Sequence, residues 1–301
     1  MELFKEYEKC TLCPRQCGVN RNKGKKGFCG ETAALRAARA ALHMWEEPCI
    51  SGKNGSGTVF FSGCTLKCSY CQNFDLSRNK CGREITHNRL AEIFMELQEK
   101  GAHNINLVTG EHFAPHIKAA VNEAKKNGLK IPVVFNCGGY VRTSVLEYLS
   151  DCIDIYLPDF KYFYSETAKE YSAAPDYREV AQKAIEKMVN LQPRLVYDEN
   201  GILQRGVIVR HMCLPGRTDE SKEILGYLFD KYVNDICISI MNQYTPMENV
   251  KGDALLHRRL TEDEYEQVLD FCIALGIENA YIQEGGAAEE SFIPKFDCKG
   301  V

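Results

Sequence analysis

The sequence predicts an α/β fold built on a parallel sheet, and three observations carry that expectation. Seven short apolar runs follow Gly57, amphipathic helical patterns separate them, and the runs are not polar on alternate positions. Strands covered on both faces read this way. The alternation implies right-handed crossovers, and so a barrel, a part-barrel or an open doubly wound sheet. The pattern leaves these three open.

The expected strands are Thr58 to Ser62, Asn104 to Thr109, Pro132 to Cys137, Ile153 to Phe160, Gly206 to Gly216, Ile236 to Tyr244 and Ala280 to Gly286. Between the first two, Leu90, Ile93, Phe94 and Leu97 form one helical stripe, with Thr86 as N-cap and Gly101 at the stop. Stretches 116–128, 178–192, 219–233 and 261–276 repeat the logic, with Gly128 and Gly276 where C-terminal caps belong. Asp198 to Gly201 reads as a hairpin turn with Asn-Gly at its tip. Ser51 to Gly57 is rich in Gly and Ser and reads as a linker, dividing a Cys-rich extension (1–57) from the main unit (58–286) and a tail (287–301).

Composition narrows the function classes. The chain has 301 residues, with Lys plus Arg 37 against Asp plus Glu 41, a net charge of −4 that offers no support for a nucleic-acid partner. No apolar run reaches the ~18 residues of a membrane span, so no membrane partner is expected. The opening MELFKEYEKC carries charges but no apolar segment of a secretory signal, which places the expected location in the cytoplasm.

The outlying number is 15 Cys, which in a reducing compartment points to metal or redox chemistry. Cys64, Cys68 and Cys71 stand in C-x3-C-x2-C spacing directly after the first expected strand. Closed structural zinc takes four ligands, so three thiolates without a nearby fourth fit an open site better. An iron–sulfur cube held by three Cys leaves one iron free for another ligand. Sheets and barrels of this class place their sites on such loops.

Cys64, Cys68, Cys71 and the aromatic Tyr70 resemble the radical S-adenosylmethionine (SAM) enzymes, and GCTLKCSYCQN is similar to their glycyl-radical-enzyme activase branch. The stretches EEPCISGKNGSGTVFFSGC, GAHNINLVTGEHF, YLPDFKY, RHMCLPG and MNQYTP resemble the pyruvate formate-lyase activating enzyme-like subgroup. The resemblance implies a partial (β/α)6-type TIM barrel. It also implies a [4Fe-4S] cluster on the three Cys and SAM chelated to the fourth iron. An electron from a low-potential reductant such as flavodoxin or ferredoxin would cleave SAM to methionine and a 5′-deoxyadenosyl radical. That radical would take hydrogen from an unknown protein or small-molecule substrate, glycyl-radical enzyme activation being one such outcome. The alternative of another class is a non-catalytic iron–sulfur or zinc electron-transfer protein.

The same resemblance carries over further residues. The family's GGE-like turn, which binds the methionyl amino group, corresponds to Thr109, Gly110 and Glu111. Thr stands where the family has Gly, so the turn is expected to depart from the family geometry, since Thr does not freely take positive φ. Asn136, Asp159, Lys161 and Arg210 occupy places where activases hold SAM or an associated cation. The competing reading of Asp159 with Arg210 or Lys161 is an internal salt bridge. Tyr70 could border the adenine. His211 and Gln243 are weaker candidates, and His112 and His116 are expected to serve turns or helix faces.

A second set, Cys10, Cys13, Cys17 and Cys29, stands in C-x2-C-x3-C-x11-C spacing. Four thiolates suffice for zinc or for a second iron–sulfur cluster. Either would order a segment too short and polar to fold by apolar burial. Lys9, Arg15, Arg21, Lys23, Lys25 and Lys26 around them are expected to be a solvated basic loop.

Overall fold

The structure is a computed structural model that describes residues 4–301 except 79, 251 and 284–293. The strands are β1 (Leu35–His43), β2 (Ser56–Phe61), β3 (Arg83–Ile85), β4 (Ile105–Val108), β5 (Val133–Cys137), β6 (Ile155–Pro158), β7 (Val196–Tyr197), β8 (Leu203–Met212), β9 (Cys237–Met241) and β10 (Ala280–Ile282). The α-helices are α1 (Pro48–Ser51), α2 (Phe74–Ser77), α3 (His87–Glu99), α4 (Ala114–Lys126), α5 (Thr143–Tyr148), α6 (Ser165–Ser172), α7 (Tyr177–Leu191), α8 (Thr218–Tyr232) and α9 (Glu262–Leu275).

Strand order decides among the three architectures. β2, β4, β5, β6, β8, β9 and β10 are parallel neighbours in the order in which they occur in the chain. A doubly wound sheet reverses order at a switch point. This one does not, so every crossover advances in one sense and the sheet curls into a part-barrel, with β2 and β10 at the two ends of the parallel series. The two faces pack differently. Leu107, Phe135, Tyr156 and Val209 share a core with helix residues such as Leu90, Ile117, Ile185 and Ile224. The alternate residues Val134, Ile155, Leu157 and Ile208 form an inner core with Cys49 and Ile50 of α1.

Helix ends follow the side-chain chemistry. Thr86 accepts from the Arg89 amide to cap α3. Thr261 and Glu264 form a capping box on α9, which ends at Gly276 with φ 82°. The expected hairpin joins β7 to β8, antiparallel, through Asp198 to Gly201.

Two expectations about the first 57 residues are corrected. β1 was not foreseen; it pairs antiparallel with β2 and makes the N-terminal segment part of the sheet. Ala and Arg in LRAARAALH favour helix, and pairing with β2 overrides that weak preference. Ser51 to Gly57 is not a free linker. It closes α1 and begins β2, and Ser56 donates to Asn104 Oδ1 at 2.6 Å in the interior. The expected boundary at residue 57 therefore falls inside β2, while that at 286 lies outside the described residues. The described part of the tail lies along β1, where the Cys298 amide donates to Ala38 O and the Ala40 amide to Lys299 O.

Candidate active site

A cavity of about 240 Å³ opens at the carboxyl ends of the parallel strands. Cys64, Cys68 and Cys71 line it from the loop after β2, together with Tyr70, Glu111, Asn136, Asp159, Lys161 and Arg210 from this and later strand ends. Of the predicted site residues of this end of the barrel, Gly110 and the weaker candidate His211 are not part of its wall.

The cysteine loop is held by short bonds. Gly63 (φ 83°) turns the chain after β2, and its amide donates to Leu76 O. The Ser69 amide donates to Tyr171 O at 2.8 Å, and Arg78 donates to Lys67 O at 2.9 Å. Two sulfurs receive donors: the Leu66 amide to Cys64 Sγ at 3.4 Å, and Ser172 Oγ to Cys68 Sγ at 3.0 Å. Burial, then Glu111 and the neighbouring Cys68 and Cys71, push the Cys64 thiol up. Burial and Cys68 push Cys71 up to about 11. Coordination to a cationic iron group would offset both penalties by taking the thiols as thiolates. Among the described residues no three His, Cys, Asp or Glu side chains converge where a single metal ion would sit.

Glu111 begins a 3₁₀ turn after β4 and is 2% exposed. Its Oε1 accepts from Thr65 Oγ1 at 2.6 Å, and its Oε2 has no partner among the described residues. Burial, opposed by the Thr65 bond, raises its carboxyl above the usual range. An ammonium group reaching this cavity would meet an acceptor left unsatisfied among the described residues. The expected departure of the turn is corrected: Thr109 itself takes φ 56°, and its amide donates to Asn136 O at 2.9 Å. Gly110 has φ −98°, and space rather than φ requires glycine there. An added Cβ would lie 2.6 Å from Ile117 Cδ1.

Asp159, Lys161 and Arg210 do form the internal ion network. Asp159 Oδ2 accepts from Lys161 at 2.6 Å and Oδ1 from Arg210 Nε at 2.9 Å. Burial works to raise the Asp159 carboxyl, but Arg210 and Lys161 outweigh it and hold it below the ordinary range. Arg210 also donates to Asn136 Oδ1 at 2.6 Å and to Glu46 Oε2 at 3.0 Å. Glu46 escaped sequence reasoning. It arrives on the segment between β1 and α1, and its Oε1 accepts from Asn106 at 3.0 Å. Burial raises Glu46 despite Arg210, and raises Glu47 beside it. The sequence signal was two adjacent acids before Pro48, with nothing to indicate where they lead.

Tyr70 packs edge-on against Tyr162, Tyr171 and Tyr244 behind the cysteine loop. Gln243 reaches the cavity wall. His211 does not; Phe160 O and Ser221 Oγ occupy its two nitrogens at 2.8 Å each. His112 and His116 bond to Ser62 O and Ala33 O.

The expected solvated basic loop around Cys10 to Cys29 is corrected at two positions. Arg21 is fully buried, because Thr32 O, His112 O and the Tyr7 ring surround its guanidinium. Arg15 donates to Thr65 O at 3.0 Å and Ser172 O at 2.9 Å, beneath the Phe28 ring. Cys10, Cys13 and Cys29 are buried, and Cys17 is exposed.

A family model for the Radical SAM superfamily matches residues 58–228. An uncharacterized protein of Methanocaldococcus jannaschii is 27% identical over 282 residues, covering 91% of this chain and 77% of that one. The FeFe-hydrogenase maturase HydG of Carboxydothermus hydrogenoformans has a similar fold at 12% identity and TM-score 0.54, over 78% of this chain and 56% of HydG. SuiB of Streptococcus suis, bound to precursor peptide SuiA, gives 13% and 0.49, over 74% and 47%. The chain thus spans about half the length of these solved structures. No described helix is long and apolar enough to cross a membrane.

Proposed function

The chain belongs to the radical SAM superfamily, and from that premise we propose that Cys64, Cys68 and Cys71 hold a [4Fe-4S] cluster at which SAM is reductively cleaved. The observation that carries this reading is three thiols and one unpartnered oxygen of Glu111 on the wall of a single cavity. The bound cluster would supply the electron that converts SAM to methionine and a 5′-deoxyadenosyl radical for hydrogen abstraction.

The chain's own residues bind and exclude. Glu111 Oε2 accepts from the methionyl ammonium, and the Thr65 bond to Oε1 fixes the carboxylate for it. Asn136, Asp159, Lys161 and Arg210 border the rest of the ligand as a mutually neutralised wall. Asp159 and Arg210 are already satisfied by protein, which favours a shaping role over direct charge pairing. Gly110 keeps the turn close-packed, and Tyr70 shields the loop from water. The quoted motifs support the pyruvate formate-lyase activating enzyme-like subgroup within the family. The substrate is then a glycyl-radical enzyme or another protein or small molecule, and the reductant a flavodoxin or ferredoxin in the cytoplasm. Cys10, Cys13, Cys17 and Cys29 in the extension form a second centre of zinc or iron–sulfur type.

Anaerobic reconstitution with iron and sulfide, reduction and addition of SAM tests the core of the proposal. Methionine and 5′-deoxyadenosine are expected from wild type and not from Cys64→Ala. Equal product from both, or none with a demonstrably reduced cluster, overturns it.

A further inference from the structure

Residues 8–34 contain no helix or strand beyond one 3₁₀ turn, yet they bury a whole guanidinium. Arg21 satisfies its donors on Thr32 O at 3.0 and 2.7 Å and on His112 O at 2.6 Å, and approaches Cys10 Sγ at 3.8 Å. No carboxylate pairs with it among the described residues. Carbonyl dipoles solvate a cation but do not neutralise it, and an unpaired buried charge is costly. The groups around it that can carry negative charge are the Cys10 and Cys29 thiols and the Tyr7 hydroxyl. Cys17 and Cys29 flank Gly27: an added Cβ there would meet Cys17 Sγ at 3.4 Å and Cys29 Sγ at 3.8 Å, and the Phe28 amide donates to Cys17 Sγ at 3.2 Å. Backbone donors to sulfur suit thiolates.

The loop also touches the catalytic site twice. Arg21 grips the carbonyl of His112, one residue from Glu111. Arg15 grips the carbonyl of Thr65, the residue that bonds Glu111, and also Ser172 O, whose side chain donates to Cys68. Both partners of the Glu111 contact are therefore braced from the same cysteine-rich loop.

We infer that Cys10, Cys13, Cys17 and Cys29 form a four-thiolate metal centre whose negative charge Arg21 balances, and that Arg15 and Arg21 transmit its occupancy to the Thr65–Glu111 contact. Among the described residues no three of these thiols converge on one point, so metal binding closes the loop further, as coupled folding and binding does. The coupling half of this inference deepens the proposed function and rests on it; the centre itself does not.

The triple variant Cys64→Ala, Cys68→Ala, Cys71→Ala, isolated anaerobically from cells supplied with zinc and iron, separates the two. Elemental analysis should find about one zinc or about four iron per chain. Adding Cys13→Ser and Cys29→Ser should abolish it. No metal in the triple variant overturns the centre, whatever the outcome of SAM cleavage. Arg21→Gln in that background should release metal to a chelator roughly tenfold faster, with Arg21→Lys closer to wild type; equal release from all overturns the charge balance. Coupling is read in the chain with the Cys64 set intact, from the change in the reduced-cluster electron paramagnetic resonance spectrum on titration with SAM. Cys13→Ser with Cys29→Ser, and separately Arg15→Met, should each shift the SAM midpoint roughly tenfold higher. Unshifted midpoints overturn the coupling.

Discussion

Thr65 donates its hydroxyl hydrogen to Glu111 Oε1 at 2.6 Å, and the other oxygen of this buried acid has no partner among the described residues. A hydrogen bond between ionised groups contributes about 1.5–3 kcal/mol, so Glu111→Gln should weaken SAM binding by about 10- to 100-fold in equilibrium dialysis. The same change removes an unsatisfied carboxylate and should leave thermal stability equal or higher. Burial raises the Glu111 carboxyl, so the free protein gives up this proton only above the ordinary carboxylate range. Wild-type affinity for SAM should therefore climb with pH more steeply than that of the Gln variant. Parallel pH profiles would remove Glu111 from ligand binding.

Glu46 meets Arg210 at 3.0 Å across 164 positions of sequence, inside the barrel. Removing one member of a buried pair costs about 3–5 kcal/mol when it strands the other. Asp159 remains on Arg210 Nε, which sets the expectation for Glu46→Ala at the low end, about 3 kcal/mol by urea unfolding. Glu46→Gln keeps an acceptor for Asn106 and should recover part of that loss. No difference between the two variants would mean that the bond to Asn106 contributes nothing and that the charge facing Arg210 is what Glu46 supplies.

Thr109 and Gly110 are expected to respond in the opposite order from a simple motif reading. Thr109 holds φ 56°, a region that costs a β-branched residue about 1–2 kcal/mol, and glycine would relieve it at some cost in unfolded-chain entropy. Thr109→Gly should thus leave stability within about 1 kcal/mol of wild type. Gly110→Ala pushes a methyl against Ile117 Cδ1 and Phe61 and should cost about 1–3 kcal/mol while displacing Glu111. Thermal melts and SAM affinity of both variants check the contrast.

What the sequence made legible was local. Thr86 caps its helix through a bond to the residue three positions away, so spacing alone revealed it. The Cys64, Cys68 and Cys71 spacing is local in the same sense. β1 was hidden because an Ala-rich segment carries no strand signature and is fixed only by its pairing with β2. Glu46 and Arg21 were hidden because their partners, Arg210 and the His112 carbonyl, are brought to them by the folded chain. Glu111 lay between these cases. Its position followed from family resemblance, and its free oxygen only from the packing of Thr65.

His211 offers a test of the barrel wall that does not depend on any ligand. Burial lowers its pKa to about 4, against partial opposition from its bond to Phe160 O, while Lys161 lowers it and Asp159 raises it from the neighbouring strand end. The unfolded chain takes up the proton near pH 6.5 and the folded chain does not, so stability present above pH 6.5 is lost as pH falls toward 4. The imidazole should account for about 2 kcal/mol of that loss at pH 5. Raised acids such as Glu46 and Glu111 act in the opposite sense, and His112 and His116 in the same sense. The comparison with His211→Gln therefore isolates this group better than the wild-type curve alone. Urea unfolding at pH 7 and pH 5 should show a smaller drop in the variant, whatever its absolute stability. An equal drop in both proteins would mean that His211 is protonated in the folded chain, with Ser221 rather than the imidazole acting as the acceptor across their 2.8 Å contact.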